Sequence, residues 1–283
     1  MRRYNAVILG GGKSPADITL PKGNTSFNGG SLAGKVYEEV RKGFDFDRIA
    51  LVMNPDDKIN LRQGDVYVEP TFCKGAWLSG YRGIEATNDG LHNYVLVAGD
   101  LPFFDKHIMK AFMDEIESET AEIIFPLVSR RINEERFSQR KRTYQPLQEG
   151  EFLAGNLGYI SQEALIKKGH FVDEIASSYQ QKLRFIFKAI SYLGFNTVLR
   201  SNHPKLPFVK ALPYYEKLFP KFSKKELEDR ASEFTGVDVK LIDFPYPESA
   251  FDIDKSEQLQ LAEKLYLTDD LEARSFPANV SLS

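Results

Sequence analysis

A single cysteine, Cys73, in 283 residues excludes an internal disulfide. The four histidines, His92, His107, His170 and His203, show no HxxxH spacing and there is no CxxC pair, which removes the usual basis for a zinc site. No apolar run approaches the roughly 20 residues needed to cross a bilayer, so no membrane span is expected. Net charge is also scarce: 37 Lys and Arg stand against 40 Asp and Glu, a formal −3. Without a basic excess there is no electrostatic reason to expect nucleic acid or an anionic membrane as partner, and any anion must be held locally. The start, MRRYNAVILGGG, runs into a strand and a glycine turn rather than a signal-peptide plan, which with the lone cysteine sets the expectation of a reducing, cytoplasmic setting. Repeats, low-complexity tracts and clear linkers are absent. With 42% hydrophobic residues the chain can bury a substantial core, and the expectation is one domain over 1–283.

What is present alternates strand and helix. Tyr4 to Leu9 reads as a buried strand ending in Gly10-Gly11-Gly12, followed by a helix from Leu32 to Lys42. Further strands are expected at Arg48 to Met53, Asp65 to Glu69, Asn93 to Ala98, Glu122 to Val128 and Val237 to Phe244, with helices at about 75–87 and 255–266. The strands are apolar on both faces, which predicts an α/β fold whose mostly parallel sheet is covered on both sides. Ligands then bind at the strands' C-terminal ends. A mainly helical insertion is expected at about 161–235, a candidate acceptor lid; its aromatics, among them Phe185, Tyr192 and Tyr214, read as packing, and its prolines break it into short pieces. The basic run Arg130, Arg131, Arg136, Arg140, Lys141 and Arg142 has two readings: a solvated loop or hairpin, or a run from which one or two side chains reach a phosphate.

Three features can carry chemistry. The turn Gly10-Gly11-Gly12-Lys13-Ser14 lies between a strand and a helix, where backbone N–H groups can approach a phosphate. It is not a Walker A motif, since Val7 stands where the first glycine belongs, nor a GxGxxG fingerprint, since Pro15 stands at the third. Asp100 follows the strongest strand, in Gly99-Asp-Leu-Pro102, as either a hard oxygen ligand for Mg²⁺ or a turn residue. Asp252 and Asp254 flank one residue, so in an extended segment both point to one side. Asp254-Lys-Ser-Glu257 also has the form of a helix N-cap, which leaves Asp252 the preferred ligand.

Taken together, Ile8-Leu-Gly-Gly-Gly12, Lys22, Gly99-Asp-Leu-Pro102 and Phe251-Asp-Ile-Asp-Lys-Ser-Glu-Gln-Leu259 resemble the MobA-like NTP-transferase family. The nearest resemblance is to its uncharacterised members, through Arg142-Thr-Tyr144, Gly155-Asn-Leu157 and Pro245-Tyr-Pro-Glu248. The resemblance implies a GT-A, Rossmann-like three-layer sandwich and a nucleotidyltransferase that moves an NMP from an NTP to a small phosphorylated acceptor (a sugar, polyol, alcohol or cofactor phosphate), releasing pyrophosphate. It implies Mg²⁺ or Mn²⁺ on Asp100 and Asp252, with Asp254 as a further ligand or cap, and Lys22 beside them as a catalytic residue. Leu9, Gly10, Gly11, Gly12, Lys13 and Lys22 would surround the NTP, Gly75 would mark the base-contacting segment, and Arg142, Tyr144, Gly155 and Asn156 would serve the acceptor. The family's first loop commonly reads LAGGxxxR; here Leu9-Gly-Gly-Gly-Lys-Ser-Pro-Ala-Asp17 has no arginine. Two alternatives follow: a catalytically degenerate nucleotide-binding or regulatory module, and a glycosyltransferase of the same fold using a nucleotide sugar, although no DxD follows the central strand.

Overall fold

The computed structural model describes residues 2–11, 22–54, 59–70, 75–140, 142–167 and 221–268. Among these residues a nine-stranded sheet runs in the order β5-β4-β1-β6-β10-β7-β9-β8, with β11 also on β7. Its strands are β1 (Tyr4–Leu9), β4 (Ile49–Val52), β5 (Val66–Val68), β6 (Asn93–Ala98), β7 (Ile123–Ser129), β8 (Gln145–Leu147), β9 (Gly150–Ala154), β10 (Leu157–Ile160) and β11 (Val239–Asp243). Only β9 and β10 run against the rest, so the sheet is mostly parallel. A small hairpin of β2 (Ser26–Phe27) and β3 (Gly30–Ser31) stands apart from it.

Alternation along β1 explains the layering. Tyr4, Ala6 and Ile8 enter one core with residues of α1 (Leu32–Gly43) and α3 (Lys106–Ser118), including Val36, Val40, Ile108 and Phe112. Val7 enters the opposite core with Ile84 of α2 (Gly75–Thr87). A strand buried on both faces is apolar wherever it lacks a hydrogen-bond partner, which is why β1 reads as an apolar run broken by Asn5 alone, whose Nδ2 donates to the Thr87 carbonyl. The result is the three-layer α/β sandwich expected from the pattern, with its active edge at the C-terminal ends of β1 and β6.

The first part of the basic run departs from a loop or hairpin, while Arg140 and Arg142 follow outside any helix or strand. Residues Arg130–Phe137 form α4, capped by Ser129, whose Oγ accepts from the Ile132 N–H at 3.4 Å. Arg130 pairs with Glu134 and Arg131 with Glu135 one turn on, and all four are largely exposed. Within 161–235 the described parts are helical, at 162–167 and in α5 (Lys224–Thr235); 168–220 lies outside the described residues. The closing helix is α6 (Ser256–Thr268).

Candidate functional site

The site grows from the ends of β1 and β6. The Gly10 N–H donates to the Val52 carbonyl at 3.0 Å, the Gly99 N–H to the Leu9 carbonyl at 2.9 Å and the Gly23 N–H to the Gly10 carbonyl at 2.8 Å. Three glycine backbones therefore meet. A Cβ on Gly23 would lie 2.5 Å from the Gly10 Cα, and one on Gly99 would lie 3.0 Å from it. Neither could be relieved by turning a side chain, because the obstacle is backbone. This close approach seats the 3-10 turn Lys22–Asn24 on the strand ends and brings Lys22 to Asp100. Gly10 thus serves packing, and its N–H is already committed.

The second half of the site arrives from the C-terminal segment. Phe251 packs between Phe103 and Phe137, at ring-centroid distances of 5.0 and 4.7 Å, and Ile253 is buried in the same cluster. In an extended segment these inward residues force Asp252 and Asp254 to the other side. The Ile253 N–H donates to the Asp100 carbonyl at 3.1 Å, which fixes the register between the two segments. One oxygen from each of Asp100, Asp252 and Asp254 lies within 4.8 Å of the others.

Among the described residues, three cations face these three carboxylates. The Lys22 Nζ donates to Asp254 Oδ1 and lies 3.3 Å from Asp100 Oδ2. Arg142 pairs with Asp252 and donates to the Ala250 carbonyl at 2.8 Å; its Nη1 is 3.9 Å from Asp254 Oδ2. Arg140 donates to the carbonyls of Ala250 (3.1 Å) and Asp252 (2.5 Å) and to Asp252 Oδ1 (3.1 Å), with its guanidinium 4.0 Å from the Phe251 ring centroid. Burial lifts the Asp100 carboxyl to about 6, with Asp252 and Asp254 adding to the lift and Lys22 opposing it. Burial also disfavours the Lys22 ammonium, but Asp100, Asp254 and Asp252 outweigh it and hold the amine above the usual lysine range. Asp252 is held below the usual carboxylate range because Arg142 and Arg140 outweigh its burial.

Of the residues expected from sequence, Lys22, Asp100, Asp252, Asp254 and Arg142 come together. Leu9 ends β1 and Gly10 follows it, Gly11 is packed so closely on Pro70 that a Cβ would lie 2.1 Å from the proline Cβ, and Gly75 opens α2. Gly12 and Lys13 lie outside the described residues. Tyr144 accepts from Asn133 Nδ2 at 2.8 Å and packs against Val128, Leu153 and Ala250. Gly155 is required by packing, since a Cβ there would lie 2.8 Å from Pro126 Cγ. Asn156 stitches the site's edge, its carbonyl accepting from the Ala98 N–H and its N–H donating to the Ser249 carbonyl. The Asp254 carboxylate faces Lys22 and Arg142, and the backbone before α6 is capped from the other direction, Gln258 Oε1 accepting from the N–H groups of Asp254 and Lys255. Arg140 is the residue that sequence reasoning does not single out; nothing local separates it from the other basic residues of its run. A cavity of about 420 Å³ opens between α1, Pro102–Asp105 and Tyr266, but none of the three carboxylates lines it.

An all-carboxylate, oxygen-only donor set with convergent atoms suits a hard divalent cation such as Mg²⁺ or Mn²⁺ and not zinc. Comparison with known proteins agrees with the fold. The chain is 30% identical over 130 residues to a probable molybdenum cofactor guanylyltransferase from Natranaerobius thermophilus, a match covering 44% of this chain and 60% of that protein. It superposes on a hypothetical transferase from Thermus thermophilus with a TM-score of 0.70 at 21% identity, over 92% of this chain and 100% of that one. A 2-C-methyl-D-erythritol 4-phosphate cytidylyltransferase from Francisella tularensis superposes with a TM-score of 0.53 at 11% identity, over 93% and 99%. Residues 6–192 match the MobA-like NTP transferase domain, a span that starts in β1 and takes in Lys22, Asp100 and both arginines, and on that match the chain belongs to the MobA-like NTP transferase family.

Proposed function

We propose that this protein transfers a nucleoside monophosphate from an NTP to a small phosphorylated acceptor, with a divalent cation held by Asp100, Asp252 and Asp254. One observation carries the reading: carboxylates far apart along the chain converge with Lys22 at the C-terminal edge of parallel strands, where α/β sheets bind ligands. An oxygen of the acceptor phosphate attacks the α-phosphorus, the bond from that phosphorus to the α,β-bridging oxygen breaks, and the electron pair leaves with pyrophosphate. No general base is needed, because a phosphate monoester is already an anionic nucleophile at neutral pH, its second pKa being about 6. A bound cation supplies charge neutralisation at the α-phosphate and the leaving group.

The chain's own groups position and neutralise. Lys22 is within reach of the same volume and supplies a positive charge where negative charge develops. Since Gly10 donates within the sheet, the loop amides available to phosphate begin at Gly11. We assign Lys13 and Gly12 to the triphosphate, Gly75 to the base side, and Arg142, Asn156 and Gly155 to the acceptor side, with Arg142 at the boundary where its guanidinium also serves the triphosphate. Tyr144 would act there through its packing, its hydroxyl being engaged by Asn133. A reducing cytoplasmic compartment suits such a substrate set. The test is pyrophosphate release with Mg²⁺, each of four NTPs and a panel of phosphorylated acceptors. Turnover is expected to fall by at least about 100-fold in Asp100→Ala and Asp252→Ala, the scale of losing one electrostatic stabiliser. Release that persists equally in both variants would overturn the metal site, and nucleotide binding without turnover would favour the degenerate module.

A further inference from the structure

The three carboxylates at the strand ends are formally neutralised by Lys22, Arg140 and Arg142, so a divalent cation cannot join them without displacing a resident cation or adding excess positive charge. The three cations differ in what holds them. The Arg140 side chain is 2% exposed and donates to two main-chain carbonyls as well as to Asp252, beneath the Phe251 ring. Lys22, at 21%, contacts the carboxylates of Asp100 and Asp254, and Arg142, at 20%, makes one main-chain bond besides its carboxylate contacts. Lys22 also precedes Gly23, whose N–H donates to the carbonyl of Gly10 at the start of the glycine turn, where a triphosphate is expected.

We propose that Lys22 and Arg142 are exchangeable counterions: in the metal-free protein they neutralise the metal carboxylates, and an incoming triphosphate draws them off as the divalent cation takes their place. Arg140 stays on Asp252 throughout as a positioning residue. Metal and nucleotide then enter as a coupled pair, because each removes the obstacle to the other, and by linkage the coupling is reciprocal. The inference rests on the metal site proposed above and adds to it the identity of the side chains that compete for that site.

The signature is a pair of effects of opposite sign. Mn²⁺ alone, followed by the loss of the free-ion paramagnetic resonance signal, should bind Lys22→Met and Arg142→Gln at least about fivefold tighter than the wild type, the lower end of typical coupling factors. Tripolyphosphate in the presence of EDTA, followed by calorimetry, should bind both variants at least about fivefold weaker. Arg142→Lys should restore both wild-type behaviours in part. A merely structural role would weaken both ligands or neither. Variants that bind Mn²⁺ no tighter than the wild type, or tripolyphosphate no weaker, overturn the exchange while leaving the metal site standing. Asp252→Asn is the reference: if it does not weaken Mn²⁺ binding, the metal site and the exchange fall together. Should Arg142→Gln fail to fold, Lys22→Met carries the test, since among the described residues its Nζ contacts are carboxylates and removing it deprives no main-chain carbonyl of a donor.

Discussion

Arg140 shows how much one side chain can hold in place. Its guanidinium satisfies the carbonyls of Ala250 and Asp252 and one oxygen of the Asp252 carboxylate, all in a buried setting. Removing one partner of a buried ion pair strands the other, which typically costs about 3–5 kcal/mol. Arg140→Met is therefore expected to lower the unfolding free energy by about that much in urea titrations, and by more than Arg142→Gln, whose side chain is more exposed. Gly23 makes the complementary point about space. Gly23→Ala places a methyl group 2.5 Å from the Gly10 Cα, so the 3-10 turn must back away, at a typical overpacking cost of about 1–3 kcal/mol. Because Lys22 rides on that turn, the same substitution should reduce turnover more than it reduces stability, a split visible in parallel kinetic and thermal measurements. Neither residue is legible locally. Arg140 sits among similar cations, and Gly23 stands beyond the glycine run, in a stretch where the pattern of apolar residues is silent.

At the scale of elements, capping and alternation do most of the local work. Asp105 caps α3, its Oδ1 accepting from the N–H groups of His107 (2.8 Å) and Ile108 (3.0 Å). Asp105→Ala should cost about 1 kcal/mol by thermal unfolding. It should leave Mn²⁺ binding unchanged, because the cap holds the helix and not the Asp100 turn before it. The stripe Ile108, Met109, Phe112, Met113 and Ile116 is buried on one face of α3 and repeats at helical spacing, so this helix is legible in the sequence even though the motif-led reading assigns nothing to 106–118. The strands β1 and β6 and the helix α2 fall where the apolar pattern puts them. Helix α4 does not, because five of its eight residues are charged and its buried face is short: Asn133 is fully buried, and Phe137 is buried against Phe103 and Phe251, which only the folded chain brings near.

At the scale of the whole molecule, the sheet has a chemical end and a structural end. Opposite the carboxylates, where β1 and β6 begin, the buried His92 ring lies between Asp89 (Nδ1 to Oδ1, 2.6 Å) and Asp47 (Nε2 to Oδ2, 2.5 Å), joining the segments that enter β4 and β6. Hydrogen bonding to His92 holds both carboxyls below their ordinary range, for Asp47 with help from Arg3. A carboxyl whose folded pKa is depressed contributes stability that is present above its unfolded value of about 4 and lost as pH falls through the folded value. His92→Asn should therefore melt below the wild type at neutral pH, and the gap should close as pH falls below about 4, while a gap independent of pH would mean that packing alone is lost. The sequence by itself determined the α/β class, the placing of Asp100 at a strand's C-terminal end and the shared side of Asp252 and Asp254, because each follows from residue periodicity within a short window. Only the tertiary structure decided that these carboxylates meet, that Arg140 and Arg142 face them while Arg130 and Arg131 pair with surface glutamates and Arg136 with the buried Glu248, and that Gly10, Gly23 and Gly99 touch. Those contacts join residues distant along the chain, and they depend on the order of strands in the sheet and on which side chains fill the space between layers, neither of which any local pattern contains.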